Sequence, residues 1–536
     1  MRRFSSALAL LAALSAPAFA QTPAPPPPID WHLQDPTTGG HPGAAVERAY
    51  ELLKGRAPAR TVVVAVIDGG IDTAHVDLRG RLWVNAREVA GNNRDDDGNG
   101  YVDDVHGWNF IGGADGRNVD AAQYEVTREY ARLRGKYEGK SETDVAAADR
   151  DELAYFGRVR AEWAERRAEA EQQFPTVEGI YTQSVAAMAT LRAALGKPEG
   201  ADVTAEEAAS VPVTTPALRQ AKQALQFLAA NGITYSDLVD YRAQLKNQSE
   251  IGFNPDANER AIVGDDPANL TQRVYGNADV TGPDAGHGTH VAGIIAALRG
   301  NGVGAVGVAD AVRIMAVRAV PNGDERDKDI ANAIRYAADN GAHVINMSFG
   351  KAYSPDKPIV DEAVRYAESK GVLLVHAAGN DGKNVDKDDN FPEARFADGT
   401  KAALWIEVGA SGPVAGEALA AEFSNYGGTS VDLFAPGADI YSTIPGGGYG
   451  RKSGTSMAAP VASGVAALVM AYYPTLTAAQ VRAVLMESVR AYPNLTVVRP
   501  GGEERAGFAT LSVTGGVINA AAALERAAAL AGGGAQ

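Results

Sequence analysis

The sequence predicts an α/β fold: a mostly parallel central sheet flanked by helices, with an inserted helical subdomain. Three observations carry this. Residues 61–67 (TVVVAVI) form a continuous, largely β-branched run too short for a helix, and it ends in Asp68, Gly69 and Gly70 as a buried parallel strand ends in a loop. From residue 312 to residue 377 strand-like runs alternate with helical periods, the pattern of βα units around a parallel sheet. Between these two regions, residues 115–264 take on helical spacing within a charged sequence.

Composition narrows the function classes. A formal net charge of −16 over 536 residues argues against a generic nucleic-acid or anionic-membrane binder, and 45% hydrophobic residues supply ample core. There is no cysteine, so disulfides and a lipid-anchored cysteine are both excluded. Stability is left to the core and to bound metal.

Taken in order, Arg2 and Arg3 precede an apolar run over residues 7–14, and Ala18, Phe19 and Ala20 supply a small-x-small cleavage pattern. Residues 1–20 therefore read as a signal peptide for export to the periplasm or the medium. The run is shorter than the roughly 20 residues that span a bilayer, so no stable membrane anchor is expected after cleavage. Residues 21–43 form an N-terminal arm, proline-rich at first, with Ile29 and Trp31 as its first large apolar residues. Residues 44–54 have helical spacing in Val46, Tyr50 and Leu53 and lead to the first strand.

The stretch 93–104 (NRDDDGNGYVDD) is dense in oxygen ligands. Asp95, Asp97, Asn99, the Tyr101 carbonyl and Asp103 fall at positions 1, 3, 5, 7 and 9 of an EF-hand-like loop, with Gly100 at position 6. Position 12 is His106, so the closing acid is missing and Asp104, water or another segment would complete the site. The expectation is a structural calcium ion that holds the loop; a solvated acidic turn is the alternative.

Within residues 115–264, Leu153, Phe156, Trp163, Ala170 and Phe174 follow one helical stripe and Val177, Ile180, Tyr181, Val185, Met188, Leu191 and Leu195 a second. Thr215 and Pro216 start a third helix, and Ser236 with Asp237 caps a fourth. A solvated structural insertion and a substrate lid or exosite both fit this pattern. The segments on either side, 44–114 and 265–530, read as two parts of one domain, and 531–536 as a tail.

After residue 275 a loop carrying Asp279 and Asp284 leads to Gly286, His287 and Gly288 and a helix of small residues over 289–298. Strands follow at 312–317, 342–347 and 372–377, helices at 327–340 and 361–370, then strands at 404–410 and 431–434 and a last helix starting near residue 515. The run Gly454, Thr455, Ser456, Met457, Ala458, Ala459, Pro460 opens a long apolar helix. A serine there lies near unpaired backbone N–H groups and the positive end of the helix dipole, where negative charge can develop. Pro460 is expected in the first turn. A plain helix cap is the bland alternative for Ser456.

Asp68, His287 and Ser456 give the chain order Asp, His, Ser, one of the known orders of a catalytic triad. Three blocks, VAVIDGGID around Asp68, GHGTHVAG around His287 and GTSMAAPVASG around Ser456, identify a resemblance to the subtilisin-like serine proteases, the subtilases. The resemblance covers residues 61–111 and 275–524. It implies a three-layer subtilisin-like fold and a serine endopeptidase that acts on extended or unfolded polypeptides with no cofactor for the chemistry. It further implies Asp68, His287 and Ser456 as the triad, Asn380 as oxyanion donor, and Ser348, Phe349 and Gly350 as the segment pairing with substrate, while His290 becomes structural.

Two departures stand out. Asp68 and His287 are 219 residues apart where the family commonly places a few tens, and residues 21–60 leave no room for the large folding propeptide that many secreted members carry. A catalytically silent subtilase-fold binding protein acting through the insertion is the alternative from another class.

Overall fold

The computed structural model describes residues 26–198, 203–231, 233 and 235–533. Residues 1–20, read in the sequence as a signal peptide, the start of the arm, the side chains of Ser236 and Asp237, read there as a cap, and the end of the tail lie outside the described residues. The chain forms two compact units, one over Val126–Ala257 and one over Pro26–Glu125 with Asn258–Gln536.

Among the described residues the sheet unit contains thirteen strands: β1 (Val62–Asp68), β2 (Gly107–Asn109), β3 (Val312–Arg318), β4 (Val344–Met347), β5 (Leu373–Ala377), β6 (Trp405–Ser411), β7 (Leu433–Pro436), β8 (Ile440–Ile444), β9 (Gly448–Lys452), β10 (Arg490–Ala491), β11 (Thr496–Val498), β12 (Arg505–Gly507) and β13 (Gly516–Val517). Nine of them form one sheet in the order β10-β13-β7-β6-β5-β4-β1-β3-β2. All its pairings are parallel except β10 with β13 at one edge. The chain runs from β3 across β1 to β4, so the strand order reverses around β1. In open α/β sheets such a switch point opens a crevice at the carboxyl ends of the strands, and Asp68 ends β1 there.

Both faces of the sheet are covered. On one face Val62, Val64 and Val66 pack with Ile294, Ile295, Val461 and Val465; on the other, Ala65 and Ile67 pack with Ile330, Ile334 and Val364. This is why β1 reads as an unbroken apolar run. The helix Thr455–Tyr472 runs through the core, and every one of its 18 residues except Ser456 is buried. It is the one described helix long and apolar enough to cross a membrane, but 94% of it is buried inside the protein.

The Val126–Ala257 unit is helical. Its centre is Arg150–Leu195, a single helix of 46 residues that continues through Pro175. The sequence stripes on either side of Pro175 read as two helices, since an interior proline removes one hydrogen bond and costs about 3 kcal/mol. Packing outweighs that cost: Val177 shares a cluster with Leu228, Leu238, Tyr241 and Leu245, and Met188 and Leu191 share another with Ala221 and Leu225. Arg242 also forks onto Glu178 at 2.6 and 3.0 Å. The helix Glu125–Tyr137, unread in the sequence, leads into this unit.

The unit begins and ends inside the stretch 115–264. Residues before it stay with the sheet, Val119 N–H donating to Ile111 and Ala122 N–H to Asn322. After it, Arg260 is locked between Asp265 and Asp329 at 2.6 to 2.8 Å.

Candidate active site

Three elements converge at the carboxyl end of β1. The helices Gly286–Ala296 and Thr455–Tyr472 pack against each other and both pack on β1. His287 and Ser456 are each the second residue of their helix, and Asp68 is the last of its strand.

The Asp68 carboxylate accepts from His287 Nδ1 at 2.9 and 3.0 Å and from Gly69 N–H at 2.8 Å. Its own backbone carbonyl accepts from Ala319 and Val320, which fixes the strand end. The acid side chain is 4% exposed and the imidazole 42%, so the carboxylate is dry while the ring opens to solvent. Gly288 permits the approach: a Cβ there would lie 2.2 Å from the Gly70 carbonyl and 3.1 Å from Asp68 Oδ1. Burial disfavours the charged ring, but the Asp68 charge and hydrogen bond outweigh it, with Asp284 helping and Lys452 opposing, and the His287 pKa rises above its ordinary 6.5. An imidazole held this way has its Nδ1 proton fixed on the carboxylate, with Nε2 turned away from it.

Ser456 Oγ donates to the Ser348 carbonyl at 3.1 Å, and Ser348 Oγ donates to the Ser456 carbonyl at 2.9 Å. Pro460 explains the second bond. The structure places it in the second helical turn, not the first, and there its missing N–H would have been the partner of the Ser456 carbonyl four residues back. The Ser348 hydroxyl takes over that acceptor, tying the segment after β4 to the start of the core helix.

Asn380 follows β5. Its Oδ1 accepts from Thr455 N–H at 2.8 Å and from Thr455 Oγ1 at 3.0 Å. A backbone N–H only donates, so the amide orientation is settled and Nδ2 faces the other way. A Cβ built on Gly454 would lie 3.5 Å from Asn380 Nδ2 and 3.6 Å from both Asn380 Oδ1 and the Ser456 nitrogen, so the Asn380 amide and the Ser456 N–H are close neighbours. Asn425 holds this loop: its Nδ2 donates to Ala378 O at 2.8 Å and its Oδ1 accepts from Asp381 and Lys383 N–H at 3.1 and 2.9 Å. Nothing in the spacing of Asn425 says which turn it grips, so the sequence alone does not single it out.

His290 Nε2 faces the carbonyls of Ile440 and Gly450 at 3.0 and 3.1 Å, one on each strand of the β8–β9 hairpin. Burial lowers its pKa to about 3, so it serves as a neutral donor.

In the acidic loop, Asp95 accepts from the N–H groups of Gly98, Asn99 and Gly100, as the first acid of a cation loop does. Oxygens of Glu88, Asp95 and Asp97 come within 4.8 Å of one another. Asn99 Oδ1 accepts from Tyr101 N–H, and the Tyr101 hydroxyl reaches the Arg273 carbonyl. Asp103 is not gathered with the acids; its carboxylate takes the N–H groups of Asn92 and Asn93. Asp104 is taken up by Asn85, Asn99 and Tyr336. Glu88 was not legible as a member because it lies ahead of the motif.

The profile of the subtilase family matches residues 59–508. This chain belongs to the subtilase family. Among relatives of this subtilase, the thermophilic serine proteinase of Bacillus sp. (strain AK1) is 43% identical over 40% of this chain and 48% of its own length. The major intracellular serine protease of Bacillus subtilis (strain 168) is 40% identical over 41% of this chain and 65% of its own. The match thus spans about half to two-thirds of those relatives. A solved protease structure from Pseudoalteromonas arctica aligns over 47% of this subtilase and 78% of that chain, at 29% identity and a TM-score of 0.39.

Proposed function

We propose that this subtilase is an exported serine endopeptidase that cleaves extended or unfolded polypeptides through an acyl-enzyme. The observation that carries the reading is the buried Asp68 carboxylate bonded to His287, at the point where an otherwise buried helix leaves only Ser456 uncovered.

In this reading Asp68 holds the His287 tautomer and stabilises the imidazolium. His287 Nε2 takes the Ser456 proton as Oγ turns from the Ser348 carbonyl to the substrate carbonyl. The oxyanion enters the space between Asn380 Nδ2 and the Ser456 N–H, the leaving amine takes the proton back from His287, and water repeats the sequence to release the acid. Substrate lies extended along Ser348, Phe349 and Gly350. Replacing Asn380 by alanine is expected to lower kcat by about 10²–10³ with little change in KM, because the amide acts on charge that develops in the transition state. Steady-state kinetics on a peptide amide check this.

Export rests on the character of residues 1–20, and the net charge of −16 leaves nucleic acid outside the partners.

The loop around Asp95 is read as a structural calcium site. Three carboxylates so close repel one another, and a hard divalent cation relieves this using Glu88, Asp95 and Asp97, with Asn99 and the Tyr101 carbonyl as further oxygens. It would brace the loop after β1 and take no part in peptide hydrolysis. Calcium is expected to raise the unfolding temperature and EDTA to lower it, with Asp95→Ala removing the response; an unfolding temperature indifferent to both rejects the site.

The function itself is tested by incubating the purified protein with casein. Cleavage that stops with a serine-directed inhibitor but survives brief chelation supports the reading. Inertness, or cleavage lost only to chelator, rejects it.

A further inference from the structure

His376, in β5, is 0% exposed, and nothing in the proposed chemistry uses it. Its ring lies between two acceptors. Nδ1 is 2.9 and 3.1 Å from the Glu407 oxygens on β6, and Nε2 is 2.8 Å from the Phe349 carbonyl. A carbonyl only accepts, so Nε2 carries a proton. Nδ1 faces a carboxylate, so a second proton must lie between that nitrogen and Glu407, whichever atom holds it. Without it, two lone pairs would meet in a dry interior.

The surroundings fix this arrangement. Trp405 Nε1 donates to Glu407 Oε2 at 2.8 Å, and the rings of Phe349 and Trp405 flank the imidazole. The other charged groups nearby are Glu325, Lys351 paired with Glu125 and Asp327, and Asp432, which accepts Glu407 N–H and pairs with Arg482. Burial opposes a charge on His376, but Glu407, by charge and hydrogen bond, with the Phe349 carbonyl and Glu325, raises its pKa above 6.5. Burial likewise lifts Glu325 to about 7, against Lys351, and Asp432 to about 6, against Arg482.

We propose that His376 and Glu407 are a positioning pair: the proton between Nδ1 and Glu407 leaves Nε2–H to anchor the Phe349 carbonyl, and with it the segment from Ser348 to Gly350 that receives the substrate. The inference rests on the protease reading. Ser348 exchanges hydrogen bonds with Ser456, so the anchored segment adjoins the nucleophile. A group whose folded pKa is raised keeps its interaction below that value and loses it as pH rises through it. Above it the one remaining ring proton stays on Nδ1 against Glu407, the Nε2 lone pair meets the Phe349 carbonyl, and that bond is lost. The expected signature is an alkaline rise in KM for an extended peptide, with kcat and labelling of Ser456 by a small fluorophosphonate much less affected.

Glu407→Gln tests this, since it keeps the shape and removes the charge. The KM rise is expected to move down by about one pH unit or more, while Ser456 is still labelled. A rise at an unchanged pH, or a loss in kcat with KM unmoved, overturns the pairing. Should that variant fail to fold, ¹⁵N NMR titration of His376 in the Ser456→Ala protein decides: both ring nitrogens protonated at neutral pH is expected, and a neutral ring with an ionised Glu407 overturns the proposal. An unsubstituted protein that resists the fluorophosphonate defeats the protease reading instead, and the ring titration still tests the pair.

Discussion

Ser456→Ala is expected to lower kcat on peptide substrates by on the order of 10⁶, leaving only the residual rate that bound and oriented substrate retains. The fold should survive. Ser456 is the one residue of its helix outside the core, and its hydroxyl makes a single bond, to the Ser348 carbonyl, which the neighbouring Ser348–Ser456 bond does not need. Circular dichroism and the unfolding temperature should therefore match the unsubstituted protein while casein cleavage disappears. Unfolding together with inactivity would place Ser456 in the architecture instead of the chemistry.

Asp68→Asn is expected to cost about 10⁴ in kcat, because an amide can hold His287 in the wrong tautomer with Nε2 protonated. The pH profile supplies a second readout. His287 acts as a base only when neutral, so the rate falls as pH drops through its pKa, which Asp68 holds above 6.5. Removing the carboxylate charge lowers that pKa, and the acid limb of kcat/KM should move to lower pH even as the plateau falls. A limb that stays in place would mean another group controls it.

How much of this was legible in the sequence depends on how local each cause is. Asp68, His287 and Ser456 sit at element ends with a glycine within two residues, and at Gly288 the need is local, because a side chain there would strike Asp68 and the Gly70 carbonyl. Such positions announce themselves. The strands of the parallel sheet were equally readable, since burial on both faces makes them continuous apolar runs.

Causes that act across the chain were not readable. Pro175 stops a helix by its own chemistry, and contacts from other helices, such as those of Val177 with Leu228 and Leu238 and of Arg242 with Glu178, carry the helix through it. Pro460 was expected in the first turn, where its lost N–H is harmless. It stands one turn later, and Ser348, 108 residues away, supplies the missing donor to the Ser456 carbonyl. The helix Lys357–Ser369 starts before Asp361 because Pro358 fits its first turn. His376 reads as an ordinary strand residue until Glu407 and Phe349 are brought to its two nitrogens.

The most direct test of the account is peptide mass mapping after a fluorophosphonate at neutral pH, on the unsubstituted protein and on His287→Ala. One adduct on Ser456, lost with the imidazole, is the expected result. An adduct on another residue, or undiminished labelling of Ser456 without His287, would contradict the claim that the three groups work as one.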